Sequence, residues 1–195
     1  MNMKVNLRIL LIIIGVFLFS GCAEILVDPA VPVGLLSKSR DYLFFCLSII
    51  DSSKPLYNQV AGRYYYAMFS IAKISSIWKH KHFSEEMETH EEVWRVAPSE
   101  PRKVFGKELK ALRTDCDYMH DCNDSSSDKI KIALKPIIAD DDAYNKLVED
   151  VRKNLLKYYE VVEPHDDESE KQCVDIITEI SNCRKNIMNL LNNDM

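Results

Sequence analysis

Arg113 and His120 are the two side chains whose types and spacing best suit chemistry. A guanidinium stays charged at any working pH, and an imidazole titrates near neutrality. On an unbroken helix, the Arg-x6-His interval makes nearly two turns, so both groups project from one face, with Asp117 between them at i+4. A plainer reading stays open: Arg113 pairs with Asp117 one turn on, and His120 sits beside Asp121 past a frayed helix end as a solvated histidine. Other candidates are weaker. Lys79-His80-Lys81-His82 places cations at the end of a long helix, where they complement its negative pole more readily than they bind phosphate. His82 and His90 flank Glu85, Glu86 and Glu88, but their separation matches no helical ligand spacing, and no metal site is expected. The cysteines form no C-x-x-C pair, and Cys46 and Cys116 read as small buried hydrophobes. No G-x-S-x-G, H-E-x-x-H or Walker motif is present, so serine-hydrolase, zinc-protease and NTPase chemistry have no support and no cofactor is expected.

The elements that must position these residues read as helices. Apolar periodicity predicts a first helix over 35–50, stopped by Asp51-Ser52-Ser53, and a long aromatic second helix from Leu56 to about Trp78 that looks like the buried centre of a bundle. A short helix over 85–97 ends at Pro98 and Pro101, and a fourth runs from about Lys103 to Met119. Residues 123–139 are ambiguous. Ile130, Ile132 and Leu134 alternate with lysines as in an edge strand, and Pro136 opposes one long helix. Asp140-Asp141-Asp142 suits a helix N-terminus, with an apolar stripe from Tyr144 to Tyr158. An acidic linker, 164–168, precedes a last helix from Ser169 to about Leu191.

The start of the chain reads as an address. Lys4 and Arg8, an apolar run from Ile9 to Phe19 and the small exit Ser20-Gly21 have the parts of a secretory signal, and the run is too short to span a bilayer. Leu18-Phe19-Ser20-Gly21-Cys22 resembles the bacterial lipobox, which implies cleavage before Cys22 and its lipidation; Ala23 fits outer-membrane sorting. An uncleaved anchor, or a mis-assigned start with a cytoplasmic protein, are the alternatives. The expected organisation is a signal peptide (1–21), a tether (22–34), a single helical domain (35–162), and an acidic linker with a C-terminal helix (163–195). The 195 residues are 47% hydrophobic and 28% charged, as in an ordinary globular protein. The net charge of −5 argues against a nonspecific nucleic-acid coat protein, although a local basic cleft is compatible with it.

Two separated segments carry a family resemblance. Arg63-Tyr64-Tyr65-Tyr66-Ala67-Met68-Phe69-Ser70-Ile71-Ala72 resembles the R-x-Y-Y-A-M-F-x-A-A helix of HEPN domains, and Leu109-Lys110-Ala111-Leu112-Arg113-Thr114-Asp115-Cys116-Asp117-Tyr118 resembles their L-x-x-L-R-x-x-A-D-Y helix. The resemblance implies an all-α, up-and-down helical bundle, here with an additional C-terminal helix. Catalytic members of that family carry Arg, four to six residues, then His, and cut RNA without metal across a dimer cleft. The resemblance therefore implies a homodimer in which His120 moves the ribose 2′-hydroxyl proton, Arg113 clamps the scissile phosphate, and Thr114, Asp117 and Tyr118 lie at the substrate. Such proteins act as toxins paired with an antitoxin partner or in phage defence. The alternative is an inactive, membrane-tethered interaction module anchored through Cys22.

Overall fold

A computed structural model describes residues 28–80, 89–118, 124–162 and 166–193, and no strand occurs among them. The architecture is an all-α bundle. Helix α1 spans Ala30–Ile50, α2 Tyr57–His80 and α3 His90–Val96. A continuous rod, α4, follows, composed of Ser99–Pro101, a π-helical stretch Arg102–Leu109, and Lys110–Tyr118. Then come α5 (Asp124–Ala139), α6 (Asp141–Tyr159) and α7 (Asp167–Asn193).

The centre is α2, whose residues from Ser70 to Ile77 are buried on all sides. A helix with no solvent face must be surrounded, and α1, α3, α4, α5 and α6 all pack on it. The last helix, α7, lies mainly along α1 and also touches α5 and α6. Polar ties fix these neighbours: Lys79 Nζ bonds the Asp150 carboxylate (2.9 Å) and the Val96 carbonyl (2.9 Å), and Arg40 reaches Glu179 (3.2 Å). Lys79 and His80 do occupy the last turn of α2, where cations suit the helix pole.

Several boundaries differ from expectation: α4 starts at Ser99 and takes in Pro101, α7 starts at Asp167 inside the expected linker, and three others have a local reason. Helix α1 starts at Ala30, inside the expected tether, because Pro29 serves as its N-cap residue and Pro32 lies in the first turn, where a missing N–H costs nothing. The hydroxyls of Tyr158 and Tyr159 donate to the carbonyls of Asp28 (2.7 Å) and Pro29 (2.9 Å), so this entry is bound to α6. Helix α3 begins at His90, after a capping box in which the Thr89 hydroxyl accepts from Glu92 N–H and Glu92 accepts from Thr89 N–H, and the expected 85–88 start lies outside the described residues. The ambiguous 123–139 segment is helical from Asp124. Ile130, Leu134, Ile137 and Ile138 turn inward at helical spacing while Ile132 is 72% exposed, and exposed Pro136 falls in the last turn.

Candidate functional site

The rod α4 is held against α2 by α3. Gly106, in the π-helical stretch, passes so close to Trp94 that an added Cβ would lie 2.9 Å from Trp94 Cγ. Trp94 Nε1 in turn donates to the Tyr65 hydroxyl (3.2 Å), and Arg102 donates to the Ala97 carbonyl (2.8 Å). These contacts set where the last part of α4 runs over the tyrosines of α2.

Arg113 lies on that crossing. Its guanidinium carbon is 5.2 Å from the Tyr66 ring centre and 6.0 Å from that of Tyr65, and one terminal nitrogen pairs with Asp117 at 2.8 Å. Its Nε is buried without a partner among the described residues. An open groove of about 420 Å³ runs beside it, lined from α2 by Asn58, Gln59, Gly62, Arg63 and Tyr66, and from α4 by Arg113, Cys116 and Asp117. No α7 residue lines it. Gly62 opens the wall: a Cβ there would meet nothing within 4 Å. Exposed Arg63 sits 5.1 Å over the Phe45 ring and 5.7 Å over Tyr42, and Tyr42 lies 6.0 Å from Tyr66. The groove thus presents two guanidinium groups, each backed by aromatic rings, and two side-chain amides. Such a surface suits an anion attached to a planar group.

Against the same tyrosines, His90 stacks on Phe69 (4.3 Å) and Tyr65 (5.5 Å), and its Nδ1 lies 2.6 Å from the Tyr65 hydroxyl. Burial, and then the charges of Lys110 and Arg113, hold this imidazole below its ordinary range. Burial also raises the Tyr65 phenol, against the Trp94 hydrogen bond and Arg113, and pushes the Cys46 thiol up to about 12, where it is an inert neutral group.

Of the residues singled out from sequence, Arg113 and Asp117 meet in the groove, as an ion pair. The Thr114 hydroxyl is turned back to the Lys110 carbonyl (2.8 Å). Tyr118 closes α4, and its side chain lies outside the described ones; His120, His82 and Cys22 lie outside the described residues. Among the described residues, no group of three or more His, Cys, Asp or Glu could hold a metal ion, and no helix is long and apolar enough to cross a membrane. Sequence reasoning missed Arg63, Asn58 and Gln59 as groove residues and weighed His90 only as a metal ligand. One signal was available: from Arg102 to Arg113 five cations, Arg102, Lys103, Lys107, Lys110 and Arg113, face a single carboxylate, Glu108, in an otherwise acidic chain. Comparison of the chain with models of protein families, with curated proteins and with solved structures gives no match.

Proposed function

We propose that this is a HEPN-like protein whose α2/α4 groove binds single-stranded RNA and that it acts as a metal-independent endoribonuclease of the toxin or phage-defence type. The observation that carries the reading is the groove itself, in which Arg63 and Arg113 lie at opposite walls on aromatic supports. Arg113 would exchange or share its Asp117 contact for a scissile phosphate, and its preorganised cation would stabilise the charge that develops on the phosphoryl oxygens. His120, two residues beyond the end of α4, would take the 2′-hydroxyl proton. Two copies meeting along α4 would bring a pair of such sites together, and lipidated Cys22 would tether the mature domain to a membrane. The test is cleavage of a single-stranded RNA by the purified chain in the presence of EDTA. Cleavage should persist with the chelator and vanish in both Arg113→Ala and His120→Ala; cutting by either variant ends the assignment.

A second reading is favoured by one specific contact. The Arg113–Asp117 ion pair gives one terminal nitrogen of the arginine a partner within its own helix. On this reading the protein is a membrane-tethered helical interaction module that has the bundle and no chemistry. Palmitate incorporation at Cys22 together with absent RNA cleavage is the outcome that selects it.

A further inference from the structure

Tyr65 and Tyr66 connect two groups that the proposed reaction does not. His90 lies 5.5 Å from the Tyr65 ring centre and 5.9 Å from that of Tyr66, while the Arg113 guanidinium carbon lies 6.0 and 5.2 Å from the same two. Imidazole and guanidinium therefore lie against the same pair of rings. The Tyr65 hydroxyl can serve the imidazole in either protonation state. Trp94 Nε1 can only donate, and it gives to the Tyr65 oxygen at 3.2 Å. The Tyr65 hydroxyl keeps its own proton to donate to His90 Nδ1, 2.6 Å away, in the neutral tautomer whose hydrogen is on Nε2. A second proton turns this bond around. Nδ1–H donates to the Tyr65 oxygen, whose two lone pairs accept it and Trp94 together, and the phenolic hydrogen rotates away. Hydrogen bonding accommodates both protonation states, so burial and the surrounding charge decide between them.

That charge comes from three helices. From α2 the phenols of Tyr65 and Tyr66 face the ring, and from α4 Lys110 and Arg113 do. On α3 itself, Glu92 is engaged in the capping box with Thr89, and Glu91 is exposed. Burial is the larger obstacle to a proton on His90, and the two cations add to it. An anion held by Arg113 in the groove would offset that arginine's share of the opposition.

We infer that His90 is a proton-linked member of the anion site at Arg113: a phosphodiester bound there draws a proton onto the imidazole, and the protonated protein binds the phosphodiester more tightly. The inference rests on the groove being a phosphodiester site, and by reciprocity each event strengthens the other equally. The sign for the empty protein is the opposite. With its folded titration below the ordinary value near 6.5, His90 contributes stability that is lost as pH falls below that value, because the unfolded chain takes up the proton more readily.

The experiment uses the full chain in nonionic detergent and single-stranded hexathymidylate, which lacks the 2′-hydroxyl and so is not a substrate for cleavage through that group. The His90 ring proton, assigned by its loss in His90→Gln, is followed by NMR through a pH titration. Saturating oligonucleotide should move the titration to higher pH, and Arg113→Gln should do so without ligand. Affinity should rise about fivefold on going from about pH 7.5 to about pH 5.5, and this rise should flatten in His90→Gln. An unmoved titration, or an equal pH dependence in His90→Gln, overturns the inference even if the chain cuts RNA. Proton-linked binding by a chain that cuts no RNA leaves the inference standing and removes the nuclease. Absence of any oligonucleotide binding overturns the inference and the groove reading together.

Discussion

Two arginines in this bundle lie over tyrosine rings, and what separates them is where their remaining donors go. Arg184 on α7 sits 4.5 Å over Tyr144 with only 5% of its side chain exposed, and it bonds both the Asp141 carboxylate (2.6 Å) and the Ile138 carbonyl (2.6 Å). It joins α7 to the junction between α5 and α6. Arg113 on α4 has a similar ring beneath it, but it is 26% exposed, pairs with a carboxylate on its own helix, and borders open space. Each leaves its Nε buried and without a partner among the described residues. The difference teaches that a stacked guanidinium is structural when its donors bridge separate elements and available for binding when they close on a neighbour one turn away. An intrahelical exposed pair contributes only about 0.3–0.5 kcal/mol, so a ligand displaces it at little cost.

The largest break in this comparison is Arg184→Ala. Loss of the stacked side chain and of a donor to a buried carbonyl should lower stability by about 2–3 kcal/mol, seen as a clear drop in thermal midpoint, whereas Arg113→Ala should change stability by less than about 1 kcal/mol. Equal losses would erase the distinction between the two. Next in size is Gly106→Ala. The new methyl would press on the Trp94 ring and its Cβ (2.9–3.1 Å), groups that cannot swing aside. Overpacking should outweigh the gain in helix propensity and cost about 1–2 kcal/mol in urea denaturation. The smallest effect has the opposite sign. Gly62→Ala adds its methyl to empty space within α2 and should stabilise by about 0.5–1 kcal/mol. Gly62→Leu at the same position should fold equally well and lose oligonucleotide binding, because its side chain extends into the groove. Binding unaffected by the leucine would place the ligand elsewhere.

Much of the fold was legible because helical periodicity reports which face is buried. Residues Leu35, Leu36, Leu43, Cys46 and Ile50 behave as their spacing implies, and so does the stripe Tyr144, Leu147, Val151, Leu155, Tyr158. The 124–139 helix was not legible, because Ile132 is an exposed apolar residue that completes a false alternation with Ile130 and Leu134. The three successive tyrosines show the limit for the site. Tyr64 and Tyr65 are buried and Tyr66 lines the groove, a division set by which helices cross α2 and not by residue type. His90 could not be read at all, since its partner Tyr65 lies on another helix and its charged neighbours lie on a third.

The most direct measurement of the central claim is the fluorescence anisotropy of a labelled single-stranded RNA titrated with the full chain at several salt concentrations, comparing wild type with Arg63→Ala/Arg113→Ala. The account predicts that the double variant binds at least about tenfold more weakly, with a salt dependence shallower by about 1.4 in log–log slope, as expected for two lost phosphate contacts on a single strand. An unchanged affinity with an unchanged slope would contradict it.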